Sequence, residues 1–271
     1  MVGLYLLAVT PPLMAGPWDG GHLLVTSIHL AALVASLVVA RRQARPSKLV
    51  AWIPLLALPL LYWEIPFLNQ GIAVGYRDPI VAGWEAALFG SPATDLAGQL
   101  PSLALSEVLH LAYIAFYPVI YVPPAILFLR GRFEEFVTST VAIAAAAGLC
   151  YTVFAYFPVQ GPRYFGPPEG VPMGPIRAFT LTVLETGSSR GAAFPSAHMA
   201  LTACQAVLTL RFQPRLGVLI AVIALGLGLG AVYGGFHYGI DMVVGALVGV
   251  GSAVAIMAAR ASVPEADEVP A

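Results

Sequence analysis

The sequence predicts an all-α, polytopic membrane helix bundle of about seven transmembrane helices. Three observations carry that prediction. Hydrophobic residues make up 59% of the chain and charged residues only 10%, whereas a soluble domain of this size carries about 25% charged residues. The mean hydropathy is positive. The apolar residues also fall into runs of the length a bilayer requires, about 20 residues each.

Seven such runs lie at 21–41, 49–69, 104–129, 136–157, 195–211, 216–233 and 238–259. The segment from Met1 to Leu13 lacks a basic leader and is interrupted by Pro11-Pro12, which predicts a short interfacial lead-in rather than a cleaved signal peptide. Residues 70–103 hold Asp78-Pro79, Trp84-Glu85 and Phe89-Gly90 among further Gly and Pro, a pattern that predicts a short amphipathic helix at the interface. Residues 175–187 predict a second one, ending at Gly187. Each either forms a lip for a lipid headgroup or packs on the bundle. Cys150 and Cys204 fall inside apolar runs and are read as small packing residues. Gly226 with Gly230, and Gly245 with Gly249, form small-x-x-x-small patterns that predict close packing of the last two runs against each other. Residues 1–262 therefore form one integral membrane domain, and the acidic, Pro-containing tail 263–271 is predicted to be disordered.

Arginine and lysine orient the runs. Arg41, Arg42, Arg45 and Lys48 follow the first run, Arg130 and Arg132 the third, Arg211 and Arg215 the fifth, and Arg260 the seventh. If the runs alternate, all these residues lie on one side, which the positive-inside rule makes cytoplasmic. Residues 70–103, 158–194 and the turn before the last run then face outward from the plasma or inner membrane. Arg77, Arg163, Arg177 and Arg190 share that outer face against the trend, and anion binding is the simplest account of them. A net charge of -1 gives no basic patch for a nucleic-acid partner.

Two motifs at helix mouths carry the chemistry: Phe194-Pro195-Ser196-Ala197-His198, and Tyr233-Gly234-Gly235-Phe236-His237-Tyr238-Gly239-Ile240-Asp241. Imidazoles and carboxylates are costly near hydrocarbon, so their clustering points to a site. His237 and Asp241 are four residues apart, so on a helix they share a face and the carboxylate can fix the imidazole tautomer. His198 supplies a second imidazole. If the fifth and seventh runs are neighbours, the two rings face each other across a space for one phosphate. A helix starting at Pro195 would aim its N–H groups outward, Gly235 allows close backbone approach, and Arg163 and Arg190 offer bidentate contacts to phosphate.

These residues resemble the type-2 phosphatidic acid phosphatase superfamily, which also includes vanadium haloperoxidases. Pro195-Ser196-Ala197-His198 is similar to its Pro-Ser-Gly-His motif, and His237 with Asp241 to its His-x-x-x-Asp motif. The resemblance covers about residues 80–260. It implies a phosphatidic acid phosphatase-like helical core in which His237 attacks phosphorus to give a phosphohistidine. Asp241 would orient His237, His198 would protonate the leaving oxygen, and Ser196 would help to hold the phosphate. It implies no metal and no cofactor.

The pattern departs mildly at Ala197, where the family motif has Gly, and more heavily in three further places. Ala231 stands where the family's phosphatases carry an Arg before the His, Arg163 is followed by Tyr164 rather than Pro, and the first-motif Lys has no counterpart. A phosphodiester carries one negative charge where a monoester approaches two, so fewer cations serve it. The Ala193-Phe194-Pro195-Ser196-x-His198 form also resembles the inositol phosphorylceramide synthase branch. The expectation is therefore a lipid phosphotransferase or phosphodiesterase of the inositolphosphotransferase-like type. A lipid monophosphate phosphatase is the alternative, with Arg190 or Arg177 supplying charge, and a lipid transporter or binding protein the rival class.

Blander roles are assigned elsewhere. His, His and Asp are all zinc ligands, but no further acid lies in the motifs. Ser196 lacks the Gly-x-Ser-x-Gly setting of a hydrolase nucleophile. Glu107 and His110 predict a local pair, His22 and His29 structural roles, and Tyr62, Trp63 and Trp84 an aromatic belt.

Overall fold

The structure is a computed structural model that describes residues 1–16, 19–41, 48–69, 71, 75–90, 95–166, 168 and 170–262. The tail 263–271, with Arg42 and Arg45, lies outside the described residues. Among the described residues the chain is helical. In order, the helices are α1 (Val2–Met14), α2 (Gly20–Arg41), α3 (Ile53–Trp63), α4 (Ile65–Leu68), α5 (Asp78–Phe89), α6 (Leu96–Gln99) and α7 (Leu103–Ile114). They continue with α8 (Phe116–Leu129), α9 (Phe133–Tyr156), α10 (Pro175–Gly187), α11 (Ala197–Phe212), α12 (Pro214–Tyr233) and α13 (Gly239–Ala261).

The number of spans is where the structure and the sequence reading part. Among the described residues α2, α9, α12 and α13 are each long and apolar enough to cross a bilayer, and α7 with α8 makes a fifth if counted as one bent span. The run expected over 104–129 is broken by a 44° bend between α7 and α8. Pro118 lacks the N–H that would bond the Ile114 carbonyl and its ring crowds that carbonyl, so α7 stops there. The run expected over 49–69 likewise breaks at Glu64, because Pro66 stands in the first turn of α4. The run expected over 195–211 starts later, at Ala197, with Ser196 as its N-cap. At the N-terminus, helix α1 runs through Pro11 and Pro12, and the Ala8 carbonyl that Pro12 cannot bond accepts from the Tyr156 hydroxyl at 2.8 Å. Large apolar side chains such as Leu60, Leu129, Leu225 and Leu247 cover the outside of the bundle, as hydrocarbon contact requires.

Helix α9 is the mast of the bundle. Its run Ala142–Ala147 is buried, and α1, α3, α8, α11 and α13 all pack against it. Cys150 and Cys204 are free thiols buried in the same core. The glycine pairs work as close contacts, though not between the helices expected. A Cβ on Gly230 of α12 would meet the Leu109 carbonyl of α7 at 2.4 Å, and one on Gly249 of α13 would meet the Ala200 carbonyl of α11 at 2.0 Å. So α12 is pressed onto α7, and α13 onto α11, rather than α12 onto α13. A small-residue pattern encodes close approach but not the partner.

Helix direction sorts the basic residues. Arg130 and Arg132 bound the α8–α9 turn, Arg211 and Arg215 the α11–α12 turn, and Arg260 ends α13, where it pairs with Glu134 at the start of α9. Both histidine motifs lie at the opposite end.

Candidate active site

Three chain segments meet at that end. The first is the start of α11: Ser196 caps it by accepting from Met199 N at 3.3 Å, which leaves His198 in the first turn. The second is the start of α13, preceded by the turn that carries His237. The third is the loop from Pro158 to Tyr164, tied to the approach to α11 by Val159 N to Gly191 O at 3.1 Å and Ala193 N to Val159 O at 2.9 Å.

Close packing of α11 on α13 brings the motifs together. Ser196 N donates to the Asp241 carbonyl at 3.1 Å, so the two helix starts are bonded directly. The rings of His198 and His237 have centroids 6.2 Å apart and are inclined at 64°. His237 Nδ1 lies 3.2 Å from Asp241 Oδ2, which also accepts from Tyr238 N at 2.9 Å. The i, i+4 spacing thus gives the imidazole a carboxylate partner, and Asp241 is fully buried. Burial lowers the His237 pKa to about 4; a hydrogen bond to the Ala193 backbone opposes this, and the charge of Arg163 lowers it further. At neutral pH the ring is therefore uncharged. His198 is held between aromatic rings, Tyr113 at 5.0 Å in a stack and Phe116 at 4.4 Å. Those two residues flank the α7–α8 bend.

Both histidines line a cavity of about 410 Å³. Its walls are mostly apolar and aromatic, with Leu58, Leu60 and Trp63 from α3, Tyr117 and Ile120 from α8, and Leu201 from α11. Among the described residues Arg163 is the one arginine or lysine in the lining. Arg190 stands just behind, donating to Gln160 Oε1 at 2.9 Å and lying over the rings of Tyr76 and Tyr164. Arg177 is buried elsewhere: its guanidinium donates to the Val171 carbonyl, and burial lowers its pKa. Ser196 is buried with its hydroxyl on the cap. Gly235 donates its N–H to the Val232 carbonyl and packs against Pro168. At Ala231 the space is filled by apolar neighbours, including Tyr113 and Phe236.

Several acids have roles the sequence did not signal. Glu107 accepts from Ile176 N at 2.9 Å and Arg177 N at 3.0 Å, so it caps α10 instead of pairing with His110. His110 Nδ1 instead bonds the Ser106 carbonyl. Glu85 does for α13 what Glu107 does for α10, accepting from Gly239 N at 3.0 Å and Ile240 N at 2.9 Å. Asp78 accepts from Gln160 N at 3.0 Å and Gly161 N at 2.9 Å. Carboxylates at helix N-termini are favoured by the exposed N–H groups there, but partners this far along the chain leave no local pattern. Among the described residues no group of three or more His, Cys, Asp or Glu is placed to hold a metal ion.

A family model described as the PAP2 superfamily matches residues 81–255, which contain both histidine motifs and Arg163. No curated protein and no solved structure matches the chain significantly.

Proposed function

The chain belongs to the PAP2 superfamily, a phosphatase and phosphotransferase family, and from that premise we propose that it is a lipid phosphotransferase or phosphodiesterase of the inositolphosphotransferase-like type. The observation that carries this is the charge of the cavity. Two facing imidazoles share it with one lining cation, Arg163, and walls of apolar and aromatic side chains. One guanidinium matches the single charge of a phosphodiester, and the apolar walls suit a lipid.

In this reading His237 attacks phosphorus while the bond from phosphorus to the lipid oxygen breaks, and His198, whose pKa burial and His237 lower to about 3 and the bound phosphate anion raises again, gives that oxygen the proton it has taken up beside the anion. A phosphohistidine remains. An acceptor alcohol, or water, then yields its proton to His198 and attacks phosphorus, and the bond to His237 breaks. Asp241 holds the His237 tautomer throughout and balances the charge the ring gains. Arg163 holds the non-bridging oxygens, with Arg190 steadying Gln160 beside it. Ser196 and Gly235 shape the backbone around the phosphate rather than touch it. A lipid monophosphate phosphatase would need a second cation on the phosphate, and Arg190 is already engaged by Gln160 and two tyrosine rings.

The histidine end is assigned to the extracytoplasmic side of the plasma or inner membrane, because the opposite end gathers Arg130, Arg132, Arg211, Arg215 and Arg260. Labelling of a Glu185→Cys variant in intact cells by an impermeant thiol reagent tests this, and protection until the cells are broken would reverse it.

The decisive experiment offers purified protein in detergent a panel of radiolabelled lipid phosphomonoesters and diesters, with and without a lipid alcohol, followed by acid quench. A labelled adduct lost in His237→Ala, with label passed to the alcohol from a diester, is the expected result. Release from monoesters alone would make it a phosphatase. Binding with neither adduct nor turnover would point to a transporter or lipid-binding protein.

A further inference from the structure

Helix α5 is built inside out. Its buried face carries Asp78, Val81 and Glu85, whereas Ile80, Trp84, Leu88 and Phe89 are exposed, each by 44% or more. Two carboxylates buried to 3% and 1% exposure are costly groups in an apolar chain, and each is spent on backbone N–H groups far away in sequence. Asp78 receives Gln160 N and Gly161 N, three and two residues before Arg163. The Tyr238 hydroxyl also reaches Asp78, from the residue that follows His237. Glu85 receives Gly239 N and Ile240 N, the first two residues of α13. One helix therefore touches both halves of the site: the loop that carries the cation, and the helix start that carries His237 and Asp241.

We propose that α5 is a positioning clasp, with Asp78 setting the place of Arg163 and Glu85 setting the angle at which α13 presents His237 and Asp241. Neither carboxylate touches the cavity, so both are positioning residues. Their separation along α5 is seven residues, about 10.5 Å at 1.5 Å per residue, and two helical turns keep them on one face. That spacing fixes the distance between the cation and the nucleophile. Glu85 has a further consequence. Its charge satisfies the exposed N–H groups at the mouth of α13, so the helix dipole there is already neutralised, and the phosphate is left to Arg163.

The clasp rests on the catalytic roles assigned above for its kinetic consequences, but not for its structural ones, so it is tested on both. Asp78→Asn and Glu85→Gln keep size but turn one of the two accepting oxygens into an NH2 donor. In hydrogen–deuterium exchange of the full-length protein, Asp78→Asn should speed exchange in peptides spanning 158–164, and Glu85→Gln in peptides spanning 236–242. With the lipid ester that wild type turns over, Glu85→Gln should lower kcat about 30- to 100-fold with little change in KM, since a misplaced nucleophile costs about that much. Asp78→Asn should raise KM, and weaken inhibition by inorganic phosphate, about tenfold with a smaller change in kcat. Val81→Ala loosens the same helix face with both carboxylates in place, and should move neither exchange pattern selectively. If Glu85→Gln fails to fold, Glu85→Asp keeps the charge on a shorter arm and should give the same pattern in milder form. Uniform exchange in all variants, or identical kinetic losses in Asp78→Asn and Glu85→Gln, would overturn the clasp. A wild type that forms no phosphoenzyme would overturn the catalytic reading instead, leaving the clasp to be judged by exchange and phosphate binding.

Discussion

Among the described residues two histidine–carboxylate pairs are buried in this bundle, and they differ in what surrounds them. In the N-terminal part, His29 Nδ1 lies 3.3 Å from Glu64 Oε2, its Nε2 lies 2.9 Å from the Leu6 carbonyl and 3.3 Å from Thr10 Oγ1, and Glu64 Oε1 accepts from the Tyr5 hydroxyl. Every polar atom there is used inside the protein. His237 and Asp241 stand 3.2 Å apart, almost the same separation, but His237 lines a cavity and Asp241 Oδ1 has no hydrogen-bond partner. Saturation makes the first pair a fastener between α1, α2 and the α3–α4 break. The second pair presents its imidazole to a cavity that a substrate can enter. The cost of burying a polar group is common to both, so burial alone does not mark a site; an imidazole that opens on a cavity does.

The sharpest way to break that comparison is to delete each imidazole. His237→Ala should abolish turnover, a loss of at least about 10³-fold measured as phosphate released or transferred. Asp241→Asn should come next, lowering kcat about 10²-fold or more with substrate binding nearly unchanged, because the tautomer and the charge on His237 are lost but Arg163 remains. A silent Asp241→Asn would remove the orienting role. His198→Ala should cost about 10²-fold with a lipid alkoxide leaving group and much less with p-nitrophenolate, which departs without a proton.

A smaller effect appears in the pH profile. Since burial and Arg163 hold His237 near 4, the acid limb of kcat/KM should fall below that of an exposed histidine at about 6.5. Arg163→Gln should move that limb upward while raising KM. The same shift has a stability sign. The folded value lies below the unfolded one, so this contribution is complete above about 6.5 and is lost as pH falls toward 4, where the unfolded chain binds the proton first. Melting in detergent across that window measures it. The smallest kinetic change is expected at the fastener: Glu64→Gln should leave kcat within about twofold while lowering stability by about 2 to 4 kcal/mol.

What the sequence disclosed follows the range of the interactions. His237 and Asp241 are four residues apart, so their contact is local and was legible, although His237 lies in the turn just before the Tyr238 N-cap of α13 and not on the helix itself. The membrane character was legible from composition. Whether the 104–129 run was one span or two rested on Pro118, whose effect depends on whether neighbouring helices straighten or accept a bend. The partner of Gly230 was hidden because a glycine stripe has no address. Asp78 and Glu85 were hidden more completely: Glu85 bonds residues 154 and 155 positions away. In the sequence they look like two acids on a short amphipathic helix at the interface, and only the fold reveals them as buried. Tyr113 and Phe116 gave no signal either, since aromatic residues in an apolar helix are expected everywhere.

Gly249 takes no part in any of this chemistry, yet it touches the Ala200 carbonyl so closely that no side chain fits between them. It lies eight residues beyond Asp241 on α13, about 12 Å deeper in the bundle. The two helices behave as the arms of a caliper, with the imidazoles at the jaws and this contact as the pivot. Even one added methyl group at the pivot opens the jaws while leaving each arm intact. A relative with every motif residue in place but a larger side chain at this depth would read as an enzyme and fail as one. Its active site would be complete in composition and wrong in gauge.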